Sequence, residues 1–377
     1  MTILPGSTIG ILGSGQLGRM LTMVAKRMGY RVHVFSPDRH TPAGQLADLE
    51  WTAPYTDIDA LRSFARQVDI VTLEFENIPA LALQAIETVK PVFPQPHVLE
   101  IAQHRGREKT FLAEMGIPVA GFRLVHNMQE LQQAVEELGL PAVLKTAGFG
   151  YDGKGQSKLT QLEQVLPAFE ALGQKPCVLE QFVDLDLEIS VIAARGAQGE
   201  FSAYRPVENQ HVNHILDLTL APASISPALE SQAVEITRTI MEKLKMRGLL
   251  CVEFFITKAG VLMVNELAPR THNSGHYSIE ATGCSQFEQQ LRAVCGLPLG
   301  DPQLLYPAAM ANLLGDLWTQ GEPDWAAALQ HQPVSLHLYG KKDARPGRKM
   351  GHLTALANPI SAAKALVLEA RNSLRSS

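Results

Sequence analysis

Twelve residues from Lys145 to Gln156 read Lys-Thr-Ala-Gly-Phe-Gly-Tyr-Asp-Gly-Lys-Gly-Gln, four of them glycine and two lysine. A stretch this rich in glycine cannot be a packed helix or a sheet interior. It reads as a cationic flap: glycine lets the backbone approach closely and take positive φ, its N–H groups can face phosphate oxygens, and lysine adds point charge. Gly148 to Lys154 fits G-x-x-x-x-G-K, but Gly155 stands where a Walker A loop needs Ser or Thr, and Gln156-Ser-Lys-Leu-Thr160 does not open a helix. With Pro141-Ala-Val-Leu144 as a strand delivering Lys145, the segment becomes strand, flap, strand. That is a lid over nucleotide phosphate; the plainer alternative is a mobile surface loop.

A second constraint lies at the N-terminus. Thr8-Ile-Gly-Ile-Leu12 is a short apolar strand, followed by Gly13-Ser-Gly15-Gln-Leu-Gly18, an amphipathic helix through Met28 and a second strand at Arg31–Phe35. This is a βαβ start with a G-x-G-x-x-G fingerprint, although Ser36 and Pro37 stand where a dinucleotide binder places an acid. Ile70–Leu73 is a further strand ending at Glu74-Phe-Glu76. Ligands sit at the carboxyl ends of such strands, so Gln16 and Glu74 are candidate substrate neighbours. Solvated loop acids are the other reading of Glu74 and Glu76.

Length and composition set the frame. A chain of 377 residues exceeds one ordinary core, and 46% apolar with 19% charged content describes a folded globular protein. A net charge of −5 argues against a general nucleic-acid binder. No secretory signal or membrane-length apolar run is visible, so a cytoplasmic location without membrane contact is expected. Cys177, Cys251, Cys284 and Cys295 are scattered without a C-x-x-C pair and read as buried free thiols. Pro-rich residues 91–96 and the Gly-Pro turns at 296–302 divide the chain into 1–105, 106–298 and 299–377. Within the middle part, residues 106–178 form a small α+β unit. Asn127/Glu130 and Thr160/Glu163 are two expected capping boxes. Strands are expected at Cys177–Gln181, Leu187–Ala194 and Phe201–Pro206, then a long helix capped by Ser226-Pro227. The tail is expected to hold two strands, near Met310 and Leu336, and a closing helix from Ser361.

Leu249–Ile256 and Val261–Glu266 look like a hairpin around Thr257–Gly260. An even loop pairs Glu253 with Val264 and leaves Glu266 as its diagonal neighbour, roughly 7–8 Å away on the same face. Two carboxylates so placed can share magnesium, and Asn265 could add a neutral oxygen. A carboxylate between Val252 and Phe254 needs a cation partner if it is buried. An edge hairpin with one wet face is the alternative. Lys341, Lys342, Arg345, Arg348 and Lys349 place five cations in nine residues. A phosphate pocket or a solvated basic loop would each explain them, whereas a single-strand binder would interleave aromatics. His272 and His276 share an i, i+4 spacing, but Asn273-Ser-Gly275 is poor helix, so zinc is not expected there.

In this order, Lys145, the flap, Glu180-Gln-Phe-Val183, Glu188, Glu253 and Asn265-Glu266 resemble the ATP-grasp superfamily. Within it, three strings resemble the 5-(carboxyamino)imidazole ribonucleotide synthetases of purine biosynthesis: Gly13–Met20, Gly150–Gln156 and Asn265–His276. The passage from His337 to Lys341 and on through Arg348 to His352 is a fourth, and the likeness runs from about residue 8 to 355. It implies a fold of α/β and α+β parts: a Rossmann-like N-terminal domain, an ATP-grasp domain with lid and larger antiparallel-sheet subdomains, and a small C-terminal domain packed on it. It implies that ATP phosphorylates bicarbonate and that carboxyphosphate then carboxylates the exocyclic amine of 5-aminoimidazole ribonucleotide. Arg105 and Lys145 would meet the ATP phosphates under the lid of Gly150, Tyr151, Asp152, Gly153, Lys154, Gly155 and Gln156. Glu180, Gln181, Phe182 and Val183 would be the adenine hinge, Glu188 the ribose acceptor and His211 a further nucleotide contact. Glu253 and Glu266, with Asn265 beside them, would hold two Mg²⁺ ions, for which Mn²⁺ can substitute. Asp152, Lys154, Arg270 and His272 would face bicarbonate and the aminoimidazole, with Tyr151 alongside. Lys341 and Arg348 would take the ribonucleotide phosphate. Some family members carry arginine at position 154, so Lys154 loses a bidentate fork. A homodimer is common among such proteins.

Three rivals explain part of the chain, one of them a catalytically silent nucleotide sensor, against which Lys145 and both candidate magnesium carboxylates speak. An NAD-dependent oxidoreductase would use the N-terminal fingerprint but leaves the flap idle. A sister ATP-grasp ligase, such as a formate-dependent glycinamide ribonucleotide transformylase or biotin carboxylase, would differ in its one-carbon substrate.

Overall fold

The computed structural model describes residues 2–148 and 155–375. The first sheet is parallel, with β1 (Thr8–Leu12), β2 (Arg31–Ser36), β3 (Leu49–Thr52), β4 (Ile70–Leu73) and β5 (Val92–Phe93) in the order β3-β2-β1-β4-β5. Strands covered on both faces read as nearly continuous apolar runs, and β1 and β4 are buried at every position. Leu17, Met20 and Leu21 of the helix Gln16–Arg27 pack with Ile9 and Ile11. Leu61 and Phe64 of the helix Ile58–Arg66 join Leu12 and Leu73 in a separate cluster. The strand order turns outward from β1 in both directions. The loops after β1 and β4 therefore open a crevice at the carboxyl edge.

A small antiparallel sheet follows: β6 (Phe122–Val125), β7 (Ala142–Thr146), β8 (Gln156–Leu159) and β9 (Cys177–Gln181), in the order β6-β9-β7-β8. Cys177–Gln181 thus sits inside the small sheet and does not begin the later strands. Two helices cover one face, with Leu131, Val135, Val165 and Phe169 against Val125, Leu144 and Leu179. Asn127 caps its helix as expected, accepting from the Glu130 N–H at 2.9 Å. The Thr160/Glu163 box does not form. Gln164 folds back instead and accepts from the Thr160 and Gln161 N–H groups. One position further along the turn, its side chain reaches two orphan donors at once.

The large sheet is antiparallel and holds β10 (Leu185–Arg195), β11 (Phe201–Ala203), β12 (Val207–Val212), β13 (Ile215–Ala221), β14 (Gly248–Thr257), β15 (Leu262–Ala268), β16 (Ala308–Leu314), β17 (Val334–Leu338) and β18 (Lys349–Leu356). Its order is β15-β14-β10-β12-β13-β16-β18-β17, with β11 on β10. The tail contributes three strands, and its first, β16, pairs with β13 from Leu218↔Ala311 to Ala221↔Ala308. The C-terminal part is therefore hydrogen-bonded into the central sheet. The β12–β13 hairpin lies outside the expected strands, yet it turns on Asn213 and His214, both at positive φ (50° and 65°). Two left-handed residues are what a type I′ hairpin needs. Ala233, Ile240 and Met241 of the helix Pro227–Lys243 join a core with Val191, Val252 and Phe254. The helix Gln286–Cys295 ties two sheets together: Phe287 and Leu291 pack with Ile9 and Ile11, while Gln290 accepts from the Leu249 N–H at 2.6 Å.

All four cysteines are buried free thiols. Burial pushes the thiols of Cys284 and Cys295 up to about 12. Among the described residues no helix is long and apolar enough to cross a membrane.

Candidate active site

The paired acids come from β14 and β15, in a register that differs from the expected one. Phe254 pairs with Val264, and Glu253 pairs directly with Glu266. Asn265 is the extra residue of a β-bulge between these pairs. Without the bulge, Glu266 would oppose Val252 and point to the other face, because side chains alternate along a strand. Glu253 accepts from His272 Nε2 at 3.0 Å. Burial would raise its carboxyl, but the contact with His272 and the fields of His211 and Arg270 hold it well below the usual range. Glu266 moves the other way, raised by desolvation and by the Glu253 charge facing it. Such a pair is an acceptor set short of a cation, which fits a hard divalent ion. Among the described residues no group of three or more His, Cys, Asp or Glu is placed to cage an ion. An ion here would take its remaining oxygens from phosphate and water, the usual habit of magnesium.

A second group lies on the small sheet. Lys145, at the end of β7, and Lys109, on the helix Arg105–Glu114, both reach Glu180 Oε2, at 3.0 and 3.3 Å. Burial raises the Glu180 carboxyl, and the two ammonium groups more than reverse this. Its Oε1 is buried and without a partner among the described residues. That orphaned acceptor lies at the end of β9, one residue before Gln181-Phe-Val183. Arg105 anchors the base of the flap: its N–H donates to the Ala147 carbonyl at 2.8 Å and its guanidinium to the Thr146 carbonyl at 2.9 Å. Gly155 and Gln156 resume the chain at β8. Gly150, Tyr151, Asp152, Gly153 and Lys154 lie outside the described residues. Glu188 Oε2 and His211 Nδ1 are 2.8 Å apart, joining β10 to β12. Burial alone would lower the His211 imidazole, but the Glu188 contact raises it.

The third group fills the crevice of the first sheet. Glu74 is buried, and its two oxygens accept from the N–H groups of Gly15 (2.6 Å) and Gly18 (2.8 Å). It occupies the helix N-terminus where a dinucleotide would lay its pyrophosphate. The fingerprint glycines make room for it. A Cβ on Gly13, at φ +93°, would lie 2.5 Å from Glu74 Cγ, and one on Gly15 would lie 2.9 Å from Oε1. The N-terminal fingerprint is thus satisfied by the chain's own anion, and the oxidoreductase reading loses its site. Burial raises the Glu74 carboxyl against those two bonds and the fields of Arg270 and Lys341.

Glu76 is no solvated loop acid either. It meets Arg270 in a two-pronged ion pair, with Nη2 to Oε1 at 2.7 Å and Nε on Oε2. Lys341 donates to the Lys349 carbonyl at 2.6 Å, and Arg348 to the Asp343 carbonyl at 2.8 Å. The three groups converge electrostatically: Glu266 feels Arg105, Lys145 and Glu76, and Glu253 feels Arg270. Gln16 opens the helix next to Gly15.

Sequence reasoning missed Lys109, and with it the buried Glu108, whose carboxyl burial and then Glu266 push up to about 8. Glu108 Oε1 accepts from the Leu267 N–H at 2.6 Å. Their signal was compositional. The helix Arg105–Glu114 begins Arg-Gly-Arg-Glu-Lys, with too narrow an apolar stripe to pack by hydrophobicity alone.

Comparison with known proteins agrees with this geometry. Residues 6–103 match the ribonucleotide synthetase preATP-grasp domain, 110–287 the ATP-grasp domain, and 308–366 the phosphoribosylaminoimidazole carboxylase C-terminal domain. The N5-carboxyaminoimidazole ribonucleotide synthase of Bacillus subtilis is 44% identical over 95% of this chain and 93% of its own. The synthase of Brucella melitensis is 45% identical over 93% and 97%. Among solved structures, an ADP complex of N5-carboxyaminoimidazole ribonucleotide synthetase superposes with a TM-score of 0.93 at 41% identity, covering 98% of this chain and 97% of the other. The Aspergillus clavatus synthase with ADP and 5-aminoimidazole ribonucleotide gives 0.89 at 31% identity, covering 98% of both chains. With opposed acids, paired lysines and an internally filled glycine turn in one chain, and near full-length relatives of that kind, the chain belongs to the N5-carboxyaminoimidazole ribonucleotide synthase family of ATP-grasp ligases.

Proposed function

We propose that the three converging groups divide the work of ATP-dependent carboxylation of 5-aminoimidazole ribonucleotide, the reaction of this family. The carrying observation is the direct pairing of Glu253 with Glu266 within the field of Lys145 and Arg105. Phosphoryl transfer needs charge neutralisation and in-line placement more than a protein nucleophile. Lys145, Lys109 and Arg105 would hold the phosphates. Glu180 to Val183 would receive adenine, and Glu188 and His211 the ribose side. Glu253 and Glu266 would hold Mg²⁺, with Mn²⁺ as a substitute, and the ion would neutralise phosphate charge.

Bicarbonate would accept the γ-phosphoryl group, giving carboxyphosphate and ADP. The exocyclic amine would then attack the carboxyl carbon, so that an N–C bond forms, the C–O bond to phosphate breaks and the amine loses a proton. Arg270 and His272, with Asp152, Lys154 and Tyr151 of the flap, would line that reaction space. A closing flap would keep water from an anhydride that hydrolyses readily. Gln16 and Glu74 would border the aminoimidazole, and Lys341 and Arg348 would take its phosphate. A cytoplasmic homodimer accords with the family likeness, and sedimentation equilibrium tests the dimer. ADP release, measured with and without bicarbonate and 5-aminoimidazole ribonucleotide, tests the whole reading. Full release should need both, and release with formate in place of bicarbonate would overturn it.

A further inference from the structure

Behind the paired acids lies a chain of hydrogen bonds that the proposed chemistry does not use. Thr219 Oγ1 donates to Asn209 Oδ1 at 3.1 Å, and Asn209 Nδ2 donates to Ser190 Oγ at 2.9 Å. Ser190 Oγ lies 2.8 Å from Ser274 Oγ, which lies 2.9 Å from His272 Nδ1. The far side of that ring, Nε2, meets Glu253 Oε1 at 3.0 Å. The members come from β13, β12, β10 and the short turn Asn273–Gly275, and Thr219, Asn209, Ser190 and Ser274 are all buried. Four polar side chains gathered from four elements in a sheet core carry a desolvation cost that only a complete network offsets.

The direction of the bonds follows from one unambiguous donor. The Ser274 backbone N–H points at His272 Nδ1, at 3.3 Å. A backbone amide can only donate, so Nδ1 accepts. In the neutral ring the proton then sits on Nε2, which faces a carboxylate that can only accept. Every other member agrees. With Asn209 Nδ2 donating to Ser190 Oγ, the Ser190 hydroxyl is free to donate to Ser274, whose own hydroxyl then shares the Nδ1 lone pair with the Ser274 N–H. All the donors point toward Glu253.

We propose that Ser274, Ser190 and Asn209 are positioning residues that hold His272 as an Nε2–H donor onto Glu253, fixing which oxygen of that carboxylate stays open toward the cleft. Besides lining the reaction space, His272 then also acts on the orientation of Glu253. Groups standing behind a ligating carboxylate commonly matter in this way. The effect on rate rests on the reading of Glu253 as a metal carboxylate; the direction of the bonds does not.

The test is a long-range ¹H–¹⁵N correlation spectrum of the intact protein with ¹⁵N-labelled histidine and no nucleotide or metal. The His272 signals are identified by their loss in His272→Asn, which keeps a good capping residue at that turn. One tautomer is expected, with Nε2 protonated and Nδ1 bare. A proton on Nδ1, alone or together with one on Nε2, overturns the proposal. Ser190→Ala cuts the chain and should lower kcat about 10- to 100-fold, with the KM for ribonucleotide unchanged. A native kcat in that variant also overturns the positioning role. Should Ser190→Ala fail to fold, the spectrum of the native chain still decides. Full turnover by Glu253→Gln would overturn the metal reading, and with it the rate effect, while the spectrum would still decide the direction of the hydrogen bonds on its own.

Discussion

Glu253 and Glu266 face each other across one strand pair, yet burial, His272 and mutual repulsion pull their acidities in opposite directions. Glu266 keeps an exposed surface on its strand while the Glu253 charge faces it, so its charge matters more than its shape. Glu266→Gln is expected to melt like the native chain while losing ATP turnover by more than roughly 10²-fold. Near-normal ADP release from a folded variant would remove the metal assignment. Lys341 is expected to divide the substrates from each other. Lys341→Ala should raise the KM for ribonucleotide at least about tenfold, the value of one charge-assisted contact, and leave that for ATP alone. Initial rates with each substrate varied in turn would place the phosphate elsewhere if the ribonucleotide KM held.

Among the elements, the turn after β1 tolerates little change. Gly13 combines positive φ with a 2.5 Å approach to Glu74, so Gly13→Ala meets both strain and overlap. It should cost about 2 kcal/mol or more, read as a lower denaturation midpoint at unchanged m-value. The fingerprint itself was plain in the sequence. Its tenant was not, because nothing local links Glu74 to a loop some sixty residues earlier. The paired acids were legible as a pair on one face, but by way of a wrong register. A bulge at Asn265 has no reliable local signature, since no glycine or proline marks it. The β12–β13 hairpin was the opposite case: Asn213-His214 is a readable turn that alternation on either side should have exposed. Lys109, Ser190 and Asn209 were illegible for a common reason. Burial of a polar residue is decided by partners distant in sequence.

Across the molecule, the Glu76–Arg270 ion pair joins the loop after β4 to the segment just past β15. Burial raises the Glu76 carboxyl, and Arg270 lowers it further than that. A folded-state acidity below the unfolded value adds stability above the ordinary glutamate pKa of about 4.3, and that stability is lost as pH falls through the folded value. Arg270 stays charged throughout. Glu76→Gln should therefore cost of order 2 kcal/mol near neutrality and progressively less in acid. Melting curves of both chains from pH 7 downward check this, and a constant gap between them would contradict it.

The four sealed thiols are distributed in a useful way. Cys177 lies in the small sheet, Cys251 in the large one a strand in from its edge, Cys295 against the first sheet, and Cys284 where its carbonyl accepts from the Tyr204 hydroxyl. No maleimide can reach any of them until its own layer parts. Their order of alkylation under mild denaturant, followed by mass spectrometry, would therefore be a map of which region gives way first, drawn with reporters the chain already carries.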